Sequence, residues 1–183
     1  MYFFIIPVVV IFFIVVGYNS LIQKRNMVDN ALSSVDTELK KRFDLIPNLV
    51  STVSSYMQHE SGLFEKITAL RARAIFSKNA DETIALDAEM TPLIKQLAIS
   101  VENYPQLRAN ENFLHLQNTL NVIEEKISAA RRAYNAAVYS FNNAIQMFPT
   151  NLLASCMKFS TKKFFEILDA EKENVSIRDS FIQ

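Results

Sequence analysis

The chain has 183 residues, with 19 basic and 19 acidic side chains, two glycines, one cysteine and no tryptophan. So little glycine argues against strand-and-turn folds and excludes glycine-rich phosphate loops, and a single cysteine excludes an intrachain disulfide or a multi-cysteine zinc site. No segment is basic enough to indicate a nucleic-acid surface. We therefore expect neither a nucleic-acid partner nor a cofactor.

The chain begins with an apolar run. Residues 2–16 are almost wholly apolar, and no charged side chain occurs before Lys24. A helix needs about 20 such residues to cross a bilayer. The alternative is a cleaved signal peptide, but the run lacks a basic leading region and a small-residue cleavage pattern. Residues 1–22 are predicted to be a transmembrane anchor that contacts lipid through residues 2–22.

The charges that flank the run predict its orientation. Lys24 and Arg25 follow it closely, and a basic cluster stands at residues 40–42, whereas the other side offers only the α-amino group. Excess lysine and arginine marks the cytoplasmic side of a membrane. The prediction is a single-pass protein with its N-terminus outside and its bundle in the cytoplasm.

The next segment has a helical period. Apolar residues recur every three or four positions, which makes one helix face: Val28, Leu32, Val35, Leu39, Phe43, Ile46, Val50, Val53 and Met57. Pro47 cannot donate to the carbonyl of Phe43, so a kink is predicted there. Gly62 is the predicted stop of this helix.

Three further helices are predicted. The second covers residues 61–78, the third runs from a cap at Asp81 to about residue 103, and the fourth runs from a cap at Asn110 to Pro149. The apolar stripe of the fourth comprises Leu116, Leu120, Ile123, Ile127, Ala130, Tyr134, Ala137, Phe141, Ile145 and Phe148.

These elements predict an all-α fold: an N-terminal transmembrane helix followed by an antiparallel four-helix bundle over residues 23–170, with long first and fourth helices. The long pair should reach roughly 55–60 Å from the membrane. Residues 24–78 have a basic excess and residues 79–127 an acidic one, so neighbouring helices should complement each other in charge. Residues 171–183 are predicted to be a polar, frayed tail.

Five sequence blocks resemble the LemA family, in the same order and over nearly the whole chain to about residue 166. They are Tyr18-Asn19-x-Leu21-Ile22, residues 39–50 (LKKRFDLIPNLV), residues 102–114 (ENYPQLRANENFL), residues 130–138 (ARRAYNAAV) and residues 148–154 (FPTNLLA). The resemblance implies a short outer N-terminus, one membrane span and an antiparallel helical bundle. It implies no catalytic residues. Leu32 stands where the family commonly has tryptophan, and residues 157–159 where it commonly has Gly-Phe.

A di-metal bundle site would need Glu-x-x-His motifs. His59 precedes Glu60, and His115 lies four residues after Glu111, so neither histidine fits the motif. No nucleophile–base arrangement is readable, and we expect no enzyme activity. The lone Cys156 is predicted to be a buried, small apolar residue.

Two basic clusters are candidate sites, each with a plainer alternative. Arg131 and Arg132 are candidates for anion contact; alternatively, one of them pairs with Asp87 or Glu89 on the third helix. Three lysines among phenylalanines are candidates for lipid contact: Lys158, Lys162 and Lys163. The alternative is that the phenylalanines pack on the bundle while the lysines stay solvated.

The turn farthest from the membrane is a candidate partner surface, formed by Tyr104, Pro105, Arg108 and Asn110. The alternative is that Pro105 and Asn110 only end one helix and cap the next. The functional hypothesis is a non-enzymatic interaction scaffold, with possible partners a protein at this tip or a second copy of the chain. The alternative hypothesis is a membrane-anchored sensor or enzyme that binds an anionic small molecule between helices through Arg131 or Arg132.

Overall fold

The computed structural model describes residues 2–77 and 79–165, and the side chains of residues 5–77 and 79–165. Over this part of the chain the fold is all-helical, as predicted. The tail predicted at residues 171–183 lies outside the described residues. The helices are α1 (Tyr2–Ser54), α2 (Ser61–Ala74), α3 (Ala80–Val101), α4 (Pro105–Arg108), α5 (Glu111–Gln146) and α6 (Thr150–Cys156).

The first helix joins the apolar run to the bundle without interruption. It has 53 residues, with Pro7 and Pro47 inside it. The side chains of residues 5–16 are exposed, whereas the predicted apolar face from Val28 onward is buried or packed against the core. Gly62 does not end this helix. The helix ends at Ser54, a short 3-10 turn follows at Gln58–Glu60, and Gly62 lies in the first turn of α2.

The long helices α1 and α5 form the most extensive helix pair. Three side-chain contacts give their register: Lys24 with Ser140, Arg42 with Glu124, and Tyr56 with Asn110. The partner number falls as the α1 number rises, so the two helices run in opposite directions. From residue 22 to its end at Ser54, α1 is about 50 Å long, somewhat less than the predicted 55–60 Å.

Helices α2 and α3 pack on each other and cover part of α1. The cap of α3 is Asn79, whose side-chain oxygen accepts from the Glu82 N–H at 2.9 Å; Asp81, the predicted cap, lies in the first turn instead. Asn110 caps α5 as predicted, by accepting from the Phe113 N–H at 3.0 Å. A side-chain cap satisfies one of the N–H groups that a helix start leaves unpaired.

The end of α5 and the end of α6 both differ from the prediction. Helix α5 ends at Gln146, so Phe148 lies beyond it and is exposed instead of extending the buried stripe. Cys156, at the end of α6, is also exposed. After α6 the chain runs back along α5, where Phe165 packs edge-on against Tyr134 at 5.1 Å and Phe159 against Phe141 at 5.7 Å.

Candidate functional site

A wholly buried arginine lies at the centre of the bundle. Arg42 follows Leu39 by three residues and precedes Ile46 by four, which places it on the apolar face of α1. Its side chain is 0% exposed. A buried guanidinium loses its hydration and needs partners nearby, and those partners come from two other helices.

The partners of Arg42 lie on α3 and α5. One guanidinium nitrogen, Nη2, donates to Asp87 Oδ1 at 2.9 Å. The other, Nη1, lies 3.3 Å from Glu124 Oε1 and 3.4 Å from Thr91 Oγ1. Asp87 and Thr91 are buried, whereas Glu124 is partly open to solvent. Arg42 therefore links three helices through charged hydrogen bonds.

A second arginine completes the cluster. Arg131, on α5, pairs with the carboxylate of Asp87 and donates to Thr91 Oγ1 at 3.2 Å. The Thr91 hydroxyl donates in turn to the backbone carbonyl of Asp87 at 2.9 Å. Two arginines thus face two carboxylates, and the cluster is neutral overall. Asp87 is one of the two acids named above as alternative partners for this arginine pair.

We call Arg42, Asp87, Thr91, Glu124 and Arg131 the interhelical charge cluster. The Nε atoms of both arginines are buried without a hydrogen-bond partner. Removing one partner of a buried ion pair lowers the free energy of unfolding by roughly 3–5 kcal/mol, because it leaves the other charge uncompensated. The cluster contains no nucleophile beside a base. Over the described residues, no group of three His, Cys, Asp or Glu side chains is placed to hold a metal ion.

Two cavities open on either side of Arg131. One, of about 290 Å³, lies between α3 and α5. The other, of about 300 Å³, lies between α3, α5 and the returning tail. Arg131 and Thr91 line both. The first cavity combines an apolar wall with a polar rim that includes Lys95, Gln117 and Asn121. An acid group with an apolar body fits this lining chemically.

A third cavity, of about 490 Å³, lies between α1, α2 and α3. Asp36 lines it, and burial raises the pKa of this carboxyl, while a hydrogen bond with the Thr83 side chain opposes the rise. Desolvation disfavours a charged carboxylate. The side chain is still exposed to solvent, which limits the size of this effect.

The two arginines of the predicted anion site are separated by the structure. Arg131 points into the bundle, whereas Arg132 is exposed and donates to Ser128 Oγ, one helical turn earlier, at 2.8 Å. Consecutive helical residues point about 100° apart, so the pair does not converge on one ligand. Of the two arginines, Arg131 is the one that lines the cavities described above.

The three lysines of the predicted lipid site also have different surroundings. Lys158 is exposed and lies two residues past the end of α6, with a φ of 55°. Lys163 extends to Asp81 at the start of α3, with Nζ 2.9 Å from Oδ2. Lys162 is held through its backbone. The amide of Asn142 accepts from the Lys162 N–H and donates to its carbonyl, both at 2.9 Å.

A second asparagine repeats this backbone pairing seven residues earlier on α5. Asn135 accepts from the Phe165 N–H at 2.9 Å and donates to its carbonyl at 3.0 Å. The Tyr134 hydroxyl donates to the Lys163 carbonyl at 3.1 Å. Burial, helped by nearby carboxylates, raises the pKa of Tyr134, so the hydroxyl keeps the proton it donates. These side chains fix the extended tail in register on α5.

At the distal tip, the four predicted partner residues have identifiable structural environments. Tyr104 is half-buried against the core, and Pro105 is the first residue of α4. Asn110 caps α5, and its amide donates to the Tyr56 hydroxyl at 3.3 Å. Arg108 is exposed. Of these four residues, Arg108 offers an exposed cation and Tyr104 a half-buried aromatic ring.

Both histidines, His59 and His115, are exposed.

Sequence reasoning missed the role of Arg42, because it stands in a run of basic residues, Lys40-Lys41-Arg42, that is typical of a solvated face. The detectable signal was its spacing from Leu39 and Ile46 on the apolar stripe.

Comparisons with known proteins point to one family. The model of the LemA family matches residues 31–178. Protein LemA of Metamycoplasma hominis is 27% identical over 176 residues, which cover 94% of this chain and 80% of that protein. Magnetosome protein MamQ 2 of Paramagnetospirillum magneticum is 21% identical over 178 residues, covering 81% of this chain and 64% of that protein. Magnetosome protein MamQ of Magnetospirillum gryphiswaldense is 29% identical over 70 residues, or 38% of this chain and 26% of that protein.

Proposed function

Because the chain belongs to the LemA family, we propose that it is a single-pass membrane protein whose antiparallel four-helix bundle is a non-enzymatic interaction scaffold. The observation that carries this proposal is the interhelical charge cluster. Its charged groups are engaged with one another and tie α1, α3 and α5 together. Such a cluster supports a rigid body with a fixed surface and supplies no reacting group.

The exposure of the apolar run supports the membrane anchor. Every side chain from Ile5 to Val16 is exposed, and the described part of the bundle covers none of this stretch. A patch of this size is typical of a membrane or protein interface, and a helix satisfies its own backbone polar groups in lipid. Lys24 and Arg25 then begin the charged region, on the side proposed to be cytoplasmic.

The orientation is tested with a C-terminal tag on the full chain. We expect external protease to leave the tag intact in spheroplasts and to remove it after lysis. Cleavage without lysis would reverse the orientation. Resistance both before and after lysis would show that the protease cannot reach the tag at all. The experiment is then repeated with the tag inserted within residues 171–183.

The distal tip is the proposed partner surface, because it stands about 50 Å from the anchor and presents Arg108 and the ring of Tyr104. A photo-crosslinking amino acid at position 108 of the full chain, in native membranes, should give discrete products that mass spectrometry identifies. The control carries the same photo-crosslinking amino acid in place of Lys66, which is exposed on α2. Identical products from both positions, or none from 108, would remove the tip from the proposal.

The second candidate function is a sensor of an anionic small molecule. It is favoured by the cavity between α3 and α5, where Arg131 and Lys95 meet an apolar wall. A carboxylate-bearing apolar molecule should raise the unfolding temperature of the full chain, because a ligand that binds only the folded state stabilises it. Lys95→Met should abolish that rise. A screen of such acids with no thermal shift would contradict this candidate.

A further inference from the structure

We infer that the turn between α5 and α6 is a second membrane contact, seated in the same bilayer leaflet that α1 leaves. We call residues 146–153 the elbow. Its contact side chains are Met147, Phe148 and Leu152, and its ligand is the boundary between lipid headgroups and acyl chains. This inference rests on the membrane anchor of the proposed function and goes beyond it.

The helix register sets the level of the elbow along α1. The contacts Lys24 with Ser140 and Arg42 with Glu124 show that residue numbers on the two helices sum to about 165. The same relationship places Phe148 level with Gly17. An independent observation agrees: a side chain added at Gly17 would lie 2.8 Å from Leu153 Cδ1. Helix α6 therefore packs directly on α1 at the end of the apolar run.

That level lies on the membrane side of the first charges. Gly17 precedes Lys24 by seven residues, which is about 10 Å along a helix. Helices that lie in a membrane interface bury their apolar face about 5–10 Å into it. If Lys24 lies at the headgroups, the elbow is at the depth of the acyl-chain boundary.

The side chains of the elbow suit this depth. Phe148 is 79% exposed, Met147 64% and Leu152 61%, so the part of the chain that the structure describes leaves all three uncovered. Large apolar side chains grouped in this way mark an interaction surface. Continuity with the exposed face of α1 at residues 5–16 identifies lipid as the occupant, since the same bilayer would cover both.

The absence of charge around the elbow supports the same occupant. Residues 133–157 contain no Asp, Glu, Lys, Arg or His, so seating the elbow among lipids desolvates no ionised group. The end of α5 is also satisfied internally. The Thr150 hydroxyl lies within hydrogen-bond reach of the carbonyls of Ala144 and Met147. Carbonyls at a helix end otherwise need water or another donor.

The test measures the depth of single positions in the full chain. Cys156→Ser provides a cysteine-free background, and Phe148→Cys is labelled with the environment-sensitive fluorophore NBD. The protein is reconstituted into phosphatidylcholine vesicles, some carrying doxyl-labelled lipids as quenchers. Val16→Cys, in the apolar run, and Ile99→Cys, 66% exposed on α3, are labelled in the same way.

We expect NBD at 148 to show blue-shifted emission and quenching by shallow doxyl lipids, at least threefold stronger than at 99. Adding anionic lipid to the vesicles, or raising the salt concentration, should leave this result unchanged, because the contact is apolar. Leu152→Cys repeats the measurement in case labelling at 148 disturbs the turn.

The outcomes separate the inference from the anchor. Quenching at 16, with water-like emission at both 148 and 152, would overturn the elbow contact and leave the anchor standing. Water-like emission at 16 as well would overturn both. Strong quenching at 99 equal to that at 148 would also overturn the inference, because the elbow would then have no special depth.

Discussion

Arg71 on α2 donates a hydrogen bond from Nε to the backbone carbonyl of Phe43 on α1, at 2.9 Å. That carbonyl has no intrahelical partner in the usual pattern, because Pro47, four residues later, has no N–H to give. The sequence predicts the missing bond at Phe43, and the structure supplies its replacement from a neighbouring helix. Pro47 thereby ties the position of α2 to that of α1.

Arg71→Met should therefore lower the free energy of unfolding by about 1 kcal/mol, near the low end for an unsatisfied carbonyl, because this hydrogen bond is only partly buried. Restoring an N–H with Pro47→Ala should reduce the effect of Arg71→Met, so the two changes should be non-additive. Thermal unfolding of the parent, the two single variants and the double variant in detergent measures this coupling. Additive effects would show that Arg71 acts without the carbonyl.

Asp87→Asn should be among the most destabilising single changes in the bundle, at about 3–5 kcal/mol. It leaves Arg42 and Arg131 facing each other with only Glu124 as a counter-charge. The control is Glu89→Gln, since Glu89 pairs with Arg73 on the surface and exposed pairs contribute about 0–1 kcal/mol. Denaturant unfolding in detergent compares them, and equal losses would contradict the importance assigned to the cluster.

Asn142→Ala should release the returning tail while leaving the helices folded. It removes both bonds to the Lys162 backbone. Hydrogen exchange should speed up at residues 159–165 and stay unchanged in α1, because exposed backbone groups exchange through local opening. Asn143→Ala, at the adjacent position, is the matched control. Faster exchange in Asn143→Ala but not in Asn142→Ala would show that Asn142 does not hold the tail.

Asp36→Asn should stabilise the protein slightly at neutral pH, because the carboxyl is still exposed to solvent, which screens most of the effect. The pKa of Asp36 is raised in the folded state, so this group favours folding below its unfolded pKa, and that contribution is lost as the pH rises through the folded pKa. The stability difference between variant and parent should therefore be larger at pH 7 than at pH 3. Unfolding temperatures at the two pH values measure it, and a difference independent of pH would refute the shift.

The sequence was most informative where one physical rule acts alone. The three- and four-residue spacing along α1 and α5 predicts their buried faces, because helix period and apolar burial are local properties. The cap at Asn110 was likewise predictable from its position before Glu111. The LemA resemblance agrees with the family match to residues 31–178.

The misses occur where tertiary contacts override local signals. Gly62 would suit a helix end but lies inside α2, because the 3-10 turn at Gln58–Glu60 already reverses the chain. Phe148 continues the α5 period, yet the helix ends two residues before it. Arg42 looks solvated beside Lys41, but its partners Asp87 and Glu124 lie 45 and 82 residues away, which no local pattern reveals.

The uninterrupted course of α1 has a mechanical consequence. One helix forms both the apolar run and a side of the bundle as far as Ser54, so there is no flexible joint between them. In a chain anchored through this helix, the bundle and the membrane-embedded segment tilt together as one body. A partner that pulls the tip sideways would tilt the anchor itself and so transmit force to the surrounding lipid.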